Sequence, residues 1–198
     1  MKKPIKIHSY GNLILKLSYN LLANFAVKML PLAYYRLELY PTISGRLYYQ
    51  NSFITSGENA GVDLYVAEEY NHIAMMETNS PTLLDLGCSA RMVRVDERGN
   101  ETEVHYWLCP RSSIYKTGMI MANSQGVIDR SYRGTLKAPI WIVNREAFLK
   151  TFDELRFRGT RYFQIVAPDM GTIREVRIVE SLSETTRGSG GFGSTGTH

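Results

Sequence analysis

Two stretches of this chain carry groups suited to hydrolytic chemistry on a phosphate. Gly126-Val127-Ile128-Asp129 leads two β-branched residues into a carboxylate, and Tyr132-Arg133-Gly134 follows with an aromatic ring, a cation and a turn residue. An Asp held by a hairpin can take a proton from water at a position that the strands set. A purely structural hairpin uses the same letters. The second stretch, Arg187-Gly188-Ser189-Gly190-Gly191-Phe192-Gly193-Ser194-Thr195-Gly196, contains a literal G-x-G-x-x-G at Gly188, Gly190 and Gly193. No strand closely precedes it and no helix fits after it, so the dinucleotide reading fails. A Walker loop fails as well, because the required Lys is missing. A plain linker remains open, although an Arg at the front and a Phe in the middle suit another task. Exposed N–H groups, hydroxyls and a guanidinium can wrap a polyphosphate while Phe192 stacks on a base.

Three further segments are ambiguous when taken singly. Pro110-Arg111-Ser112-Ser113 supplies a cation, two hydroxyls and their N–H groups just after a strand, as a phosphate loop or a solvated loop would. Ala60-Gly61-Val62-Asp63-Leu64 puts an acid at the head of a strand, where turn chemistry alone accounts for it. Gln164 interrupts the apolar run Arg161-Tyr162-Phe163-Gln164-Ile165-Val166, and alternation would simply turn it to solvent.

The elements that must position these groups are mostly strands. From Tyr35 onward, short runs rich in Val, Ile, Tyr, Leu and Thr alternate with turn residues. Strands are expected at 37–40, 45–49, 62–67, 83–95, 103–108, 136–144, 162–166 and 175–180, with a turn at 97–100. Such spacing indicates an all-β sandwich or barrel-like domain. A chain of 198 residues allows one domain with a sizeable core plus terminal extensions. These are expected to be a helical segment over 1–34, a β domain over 35–182 and a flexible Gly-rich tail over 183–198. In the first, Asn12, Lys16, Asn20, Asn24 and Lys28 recur every four residues, forming one polar arc on a helix that Pro31 closes. This favours an amphipathic helix packed on the protein's own body or on a sister subunit, with membrane-surface binding or a cleaved leader as alternatives. No apolar run approaches the roughly 20 residues of a membrane span.

The net charge of +4 suits a polyanionic ligand, but acids interleave with the cations, so no nucleic-acid groove is indicated. Cys88 and Cys109 lie in neither a C-x-x-C nor a zinc spacing, and a reducing, intracellular setting (cytoplasmic or nuclear) is expected.

Taken in order, the five segments resemble the five motifs of the homotrimeric dUTP diphosphatase (dUTPase) family. The likeness runs from about Tyr35 to the C-terminus, with motif one at 60–64, motif two at 110–118, motif three at 123–134, motif four at 159–166 and motif five at 187–196. Thr135 stands where many members have an acid, and Ser113 where many have Gly. Residues 1–34 have no counterpart in the family's common core.

The resemblance implies a jelly-roll β trimer that hydrolyses dUTP to dUMP and pyrophosphate, keeping uracil out of DNA and supplying dUMP for dTMP synthesis. Each site would take motifs one, two and four from one subunit, motif three from a second and the tail from a third. Asp129 would activate the water that attacks the α-phosphorus and meet the 3′-hydroxyl, and Tyr132 would close the space of a 2′-hydroxyl. Asn123, with backbone near Gly126, would read uracil. Arg111, Ser112, Ser113 and Gln164 would hold phosphates. Arg187, Gly193, Ser194 and Thr195 would close over the β- and γ-phosphates, and Phe192 would stack on the base. Mg2+ would be held mainly by the triphosphate, with Asp63 reaching it through water.

The related dCTP deaminases share the fold and an Arg-Ser-Ser loop, but the resemblance puts a Glu there as the proton shuttle at the base, where this hairpin reads Ile128-Asp129-Arg130-Ser131-Tyr132. A catalytically silent homologue would be expected to lose the base or the tail, and both are intact.

Overall fold

A computed structural model describes residues 32–78, 80–154 and 157–191, apart from the side chains of 152–156. The expected helix over 1–34 falls almost wholly outside these residues, and so do Phe192, Gly193, Ser194 and Thr195. The architecture is mostly strand, as expected, and is consistent with a jelly-roll-like β domain. Among the described residues the strands form three sheets. The first has the order β2-β12-β1-β5-β6, built from β1 (Tyr34–Pro41), β2 (Phe53–Ile54), β5 (Cys88–Val95), β6 (Glu101–Val104) and β12 (Ile173–Ile178). The second, β4-β10-β8, joins β4 (Thr82–Asp85), β8 (Met119–Met121) and β10 (Lys137–Ile142). The third, β3-β11-β7-β9, carries the candidate residues on β3 (Gly61–Leu64), β7 (Tyr106–Pro110), β9 (Gly126–Ile128) and β11 (Phe163–Val166).

Period-two alternation builds the core. Along β1, Tyr35, Leu37 and Leu39 face inward with Ala90, Met92 and Val176 of the neighbouring strands. The opposite face of β1 is also covered, because Arg36 and Glu38 are buried in a ladder of charges. Arg36 grips Glu101 with both terminal nitrogens at 2.7 and 2.6 Å and donates from Nε to Glu38 at 3.1 Å. Glu38 accepts from Arg91 at 2.8 and 3.2 Å, Arg91 donates to Glu103 at 3.0 Å, and Glu103 accepts from Arg133 at 3.0 Å. Glu38 and Arg91 are direct cross-strand partners, so sheet register aligns the ladder. Arg36 hydrogen-bonded to Glu101 holds that carboxyl below the usual range. Burial opposes ionisation of Glu103, but Arg133 and Arg91 outweigh it and hold its carboxyl low too. The stability that both contribute is therefore present above the ordinary Glu range and is lost as pH falls through the lowered folded values. Replacing Arg36 with Met leaves Glu38 buried with one partner fewer. It should cost about 1.5–3 kcal/mol, read as a lower midpoint of urea unfolding with unchanged slope.

Several expected strands are corrected by the structure. The run 83–95 is two strands in different sheets, because Gly87 at φ +68° turns the chain between them while its N–H donates to Asp85 Oδ1 at 2.8 Å. The run 103–108 is likewise split at His105, where the chain passes from the first sheet to the third. Residues 45–49 form a 3-10 turn over Gly45–Leu47, because Thr42 accepts the N–H of Gly45 at its hydroxyl and of Arg46 at its carbonyl. Two helices had no counterpart in the sequence reading. Helix α1 (His72–Glu77) is capped by Asn71, whose side chain accepts from the N–H groups of Ile73 and Ala74. Helix α2 (Arg145–Glu154) follows Asn144, which accepts from the N–H of Ala147. Cys88 is buried, its thiol pushed up to about 12 by burial, and neither cysteine is in a disulfide. No described helix is long and apolar enough to cross a membrane.

Candidate active site

Three neighbouring strands bring motifs one, two and four together. In β3-β11-β7, Asp63 lies opposite Gln164 and Gln164 lies opposite Cys109, so the residues just after β7 emerge beside both side chains. Gln164 sits between the fully buried Phe163 and Ile165, and alternation turns it to the other face. That face is not open solvent. It is the wall of a cavity of about 860 Å³ lined by Asp63, Arg111, Ser112, Arg161 and Gln164, among others.

Arg111 donates from Nε to Asp63 Oδ1 at 2.9 Å, and Arg161 approaches the other carboxylate oxygen at 3.3 Å. The Arg111 N–H donates to Tyr162 O and its guanidinium to Arg161 O, both at 2.8 Å, so the backbone fixes its direction. Beyond it, Ser112–Thr117 forms a 3-10 turn that ends at Gly118, with φ +70°. A side chain there would collide with the carbonyl of Asn144, so the turn that carries Ser112 and Ser113 requires glycine at its end. Arg161 had no role in the sequence reading. Its guanidinium lies 5.8 Å from the Tyr65 ring centre, and Tyr65 stacks on Tyr48 at 5.1 Å. The Arg-Tyr pair at the head of motif four was the only signal for it.

Motif three lines a second, separate cavity of about 190 Å³, with Asn123, Gly126, Asp129, Tyr132, Leu136, Arg187 and Gly191 in its wall. Gly126–Ile128 pairs with β7 at the edge of the third sheet, Tyr106 opposite Ile128 and Leu108 opposite Gly126. A turn follows in which Tyr132 N–H donates to Asp129 O at 3.0 Å and the Tyr132 hydroxyl to Thr135 O at 3.0 Å. Burial pushes the Tyr132 hydroxyl up, partly offset by Arg187. The ring is therefore a neutral wall.

Arg133 holds this loop to the root of the tail. Its guanidinium donates to Arg130 O at 2.5 Å, Tyr132 O at 3.1 Å and Ser183 O at 2.9 Å while it pairs with Glu103. Thr185 donates to Ser131 O at 2.5 Å, and Arg133 N–H to Gly188 O at 2.8 Å. Residues 183–191 form no helix or strand and lie on the motif-three loop of their own chain. There Arg187 pairs with Asp129 Oδ2 and reaches over the Tyr132 ring, 5.8 Å from its centre. Sequence reasoning missed the parts of Glu103 and Ser183, which look like ordinary surface residues, and that of His105, which sits 3.4 Å from Asp129 Oδ1.

Within one chain, then, the candidate residues that are described form two groups. Asp129 follows Ile128, opposite the start of β7, whereas Arg111 leaves the strand's other end. The six steps from His105 to Arg111 span roughly 20 Å at the rise of a strand. No metal cage joins them: among the described residues there is no cluster of three or more His, Cys, Asp or Glu.

Guanidinium groups around a lone carboxylate suit phosphate oxygens, and the smaller cavity has an aromatic wall and amide groups fit for a nucleoside, so the chain has the parts of a nucleotide-binding β protein. A family model described as dUTPase matches residues 53–196. The deoxyuridine 5′-triphosphate nucleotidohydrolase of Escherichia phage T5 is 32% identical over 149 residues, covering 72% of this chain and 89% of that protein. The protein of the same name from Nautilia profundicola is 32% identical over 140 residues, covering 70% and 85%. A solved mutant dUTPase of Staphylococcus bacteriophage 80alpha with dUpNHpp aligns at TM-score 0.44 and 20% identity, over 80% of this chain and 98% of that one. The chain belongs to the dUTPase family.

Proposed function

We propose that the protein hydrolyses dUTP to dUMP and pyrophosphate, with Asp129 as the base. The reading rests above all on one observation: the motifs of the family to which the chain belongs gather into a phosphate-type cradle and a nucleoside-type pocket. Water attacks the α-phosphorus and forms a new P–O bond. Its proton passes to Asp129, and the bond to the oxygen bridging the α- and β-phosphates breaks, releasing pyrophosphate. Arg111, Ser112, Ser113 and Gln164 hold the phosphates, with Arg161 beside them, and Ser112 lies near the bridging oxygen. Charge-assisted hydrogen bonds contribute on the order of 1.5–3 kcal/mol each, so a few of them concentrated on the leaving group favour the transition state. Asn123 and the backbone near Gly126 read the uracil edge, while Arg187, Phe192, Gly193, Ser194 and Thr195 close over the ligand. Cells would use the reaction to keep uracil out of DNA and to supply dUMP.

Asp63 is a single carboxylate already paired with two guanidinium groups, which fits a divalent ion held mainly by the triphosphate and touched by Asp63 through water. Mg2+, so held, would neutralise charge on the phosphates.

A base and a cradle at opposite ends of one strand cannot serve one α-phosphate, which supports a site shared between chains of a homotrimer. The tail is proposed to pass to a third subunit when dUTP binds. Arg187 on Asp129 is then the contact of the substrate-free chain, which the larger charge of a triphosphate outcompetes.

Pyrophosphate release from dUTP, dCTP, dTTP and UTP tests the function. Turnover confined to dUTP is expected, and ammonia release from dCTP would point to a deaminase instead. In the same assay Tyr132→Ala should raise UTP turnover relative to dUTP about tenfold or more, since the ring fills the space of a 2′-hydroxyl. An unmoved ratio would end the steric account.

A further inference from the structure

Antiparallel pairing sets Tyr106 opposite Ile128, so the next pair outward is His105 and Asp129. The side chains meet there: His105 Nδ1 lies 3.4 Å from Asp129 Oδ1 and also accepts the N–H of Arg130 at 3.3 Å. One nitrogen cannot do both in the same protonation state. With a lone pair on Nδ1, the ring accepts from Arg130 and presents that lone pair to the carboxylate. With a proton there, it donates to Asp129 and releases Arg130. His105 is more than half exposed and free to exchange protons with solvent.

We infer that His105 is a positioning residue that gates Asp129, leaving the carboxylate free to receive the water's proton when the imidazole is neutral and tying it up when the imidazole is charged. The inference rests on Asp129 as the base. The other charged groups facing the pair are Arg130 on the same loop, Arg133 held by Glu103 of β6, Lys137 at the start of β10 and Arg187 of the tail on Asp129 Oδ2. Imidazole is the side chain of this set whose charge ordinarily changes between pH 5 and 8. Its protonation adds a donor to Oδ1 of Asp129, and a carboxylate oxygen engaged by a cation is a weaker base, whether or not Arg187 has left Oδ2 for the substrate. The gate lies within one chain, so it acts whatever the assembly.

The test is the pH dependence of kcat/KM for dUTP in the full-length protein with Mg2+. If the gate closes in acid, the wild type should fall about tenfold from pH 8 to pH 5.5. In His105→Gln, which retains an acceptor for Arg130 but cannot become a cation, that fall should flatten to less than threefold. His105→Lys, charged throughout, should show low activity over the same range with no inflection. Circular dichroism reports that each variant is folded. If both variants are folded and their profiles overlie the wild type, the gate is overturned. Asp129→Asn separates this from failure of the underlying reading: undiminished turnover there removes the base itself. An inactive Asp129→Asn beside unshifted His105 profiles removes only the gate.

Discussion

Asp129→Asn should fold and bind dUTP yet turn it over roughly 10²–10⁴-fold more slowly, because the change removes the proposed proton acceptor and almost no volume. The local structure gives little reason for collapse. Asp129 is partly exposed, and its backbone carbonyl, which the substitution leaves in place, accepts the Tyr132 N–H that closes the turn. The amide can still accept from Arg187, so the tail root should stay seated. Pyrophosphate release gives the rate, and titration with a non-hydrolysable dUTP analogue gives affinity separately. A loss confined to kcat matches a group that acts in the transition state. Near-normal turnover would remove Asp129 from the role of base, and the proposed His105 gate with it.

Mixing two damaged proteins should restore about a quarter of wild-type activity, because base and cradle are proposed to come from different chains. One parent is Asp129→Asn. The other is Arg111→Ala, which removes the proposed charge-assisted bonds to the phosphates and should retain about 1–10% of activity. After joint unfolding and refolding in equal amounts, about three-quarters of closed threefold rings are mixed, and one site in each draws an intact Asp129 and an intact Arg111 from different chains. Activity equal to the mean of the parents, with mixed rings confirmed by mass, would mean that one chain supplies both residues. That outcome contradicts the separation of roughly 20 Å along β7. Repeating the experiment with a chain truncated after Thr186 in place of Arg111→Ala follows the tail. A tail handed to a neighbour again gives about a quarter, whereas Arg187 kept on its own chain's Asp129 gives none.

Local chemistry made much of this protein legible in its sequence. Alternation marked β1, β11 and β12 because each has a face in the core, and the five motifs stood out because a structural β domain has no need of their cations, hydroxyls and glycines in that order. Runs such as 83–95 and 103–108 misled, since propensity continues through Gly87 and His105 while the chain changes sheets there. The split depends on which strands lie beside each half, and no local preference records that.

The sequence by itself determined the β class of the domain, the family likeness and the kinds of groups available, all of which follow from residue type and short spacing. Only the tertiary structure decided which groups meet. Strand order brought Asp63, Gln164 and Arg111 to one cavity from positions 101 residues apart in the chain (63 to 164). Register put His105 across from Asp129, and the buried ladder from Arg36 to Arg133 joined the first sheet to the motif-three loop. The physical reason is that strand pairing sets which side chains become neighbours through backbone hydrogen bonds that every residue type except proline can donate, so the letters alone do not name the partner.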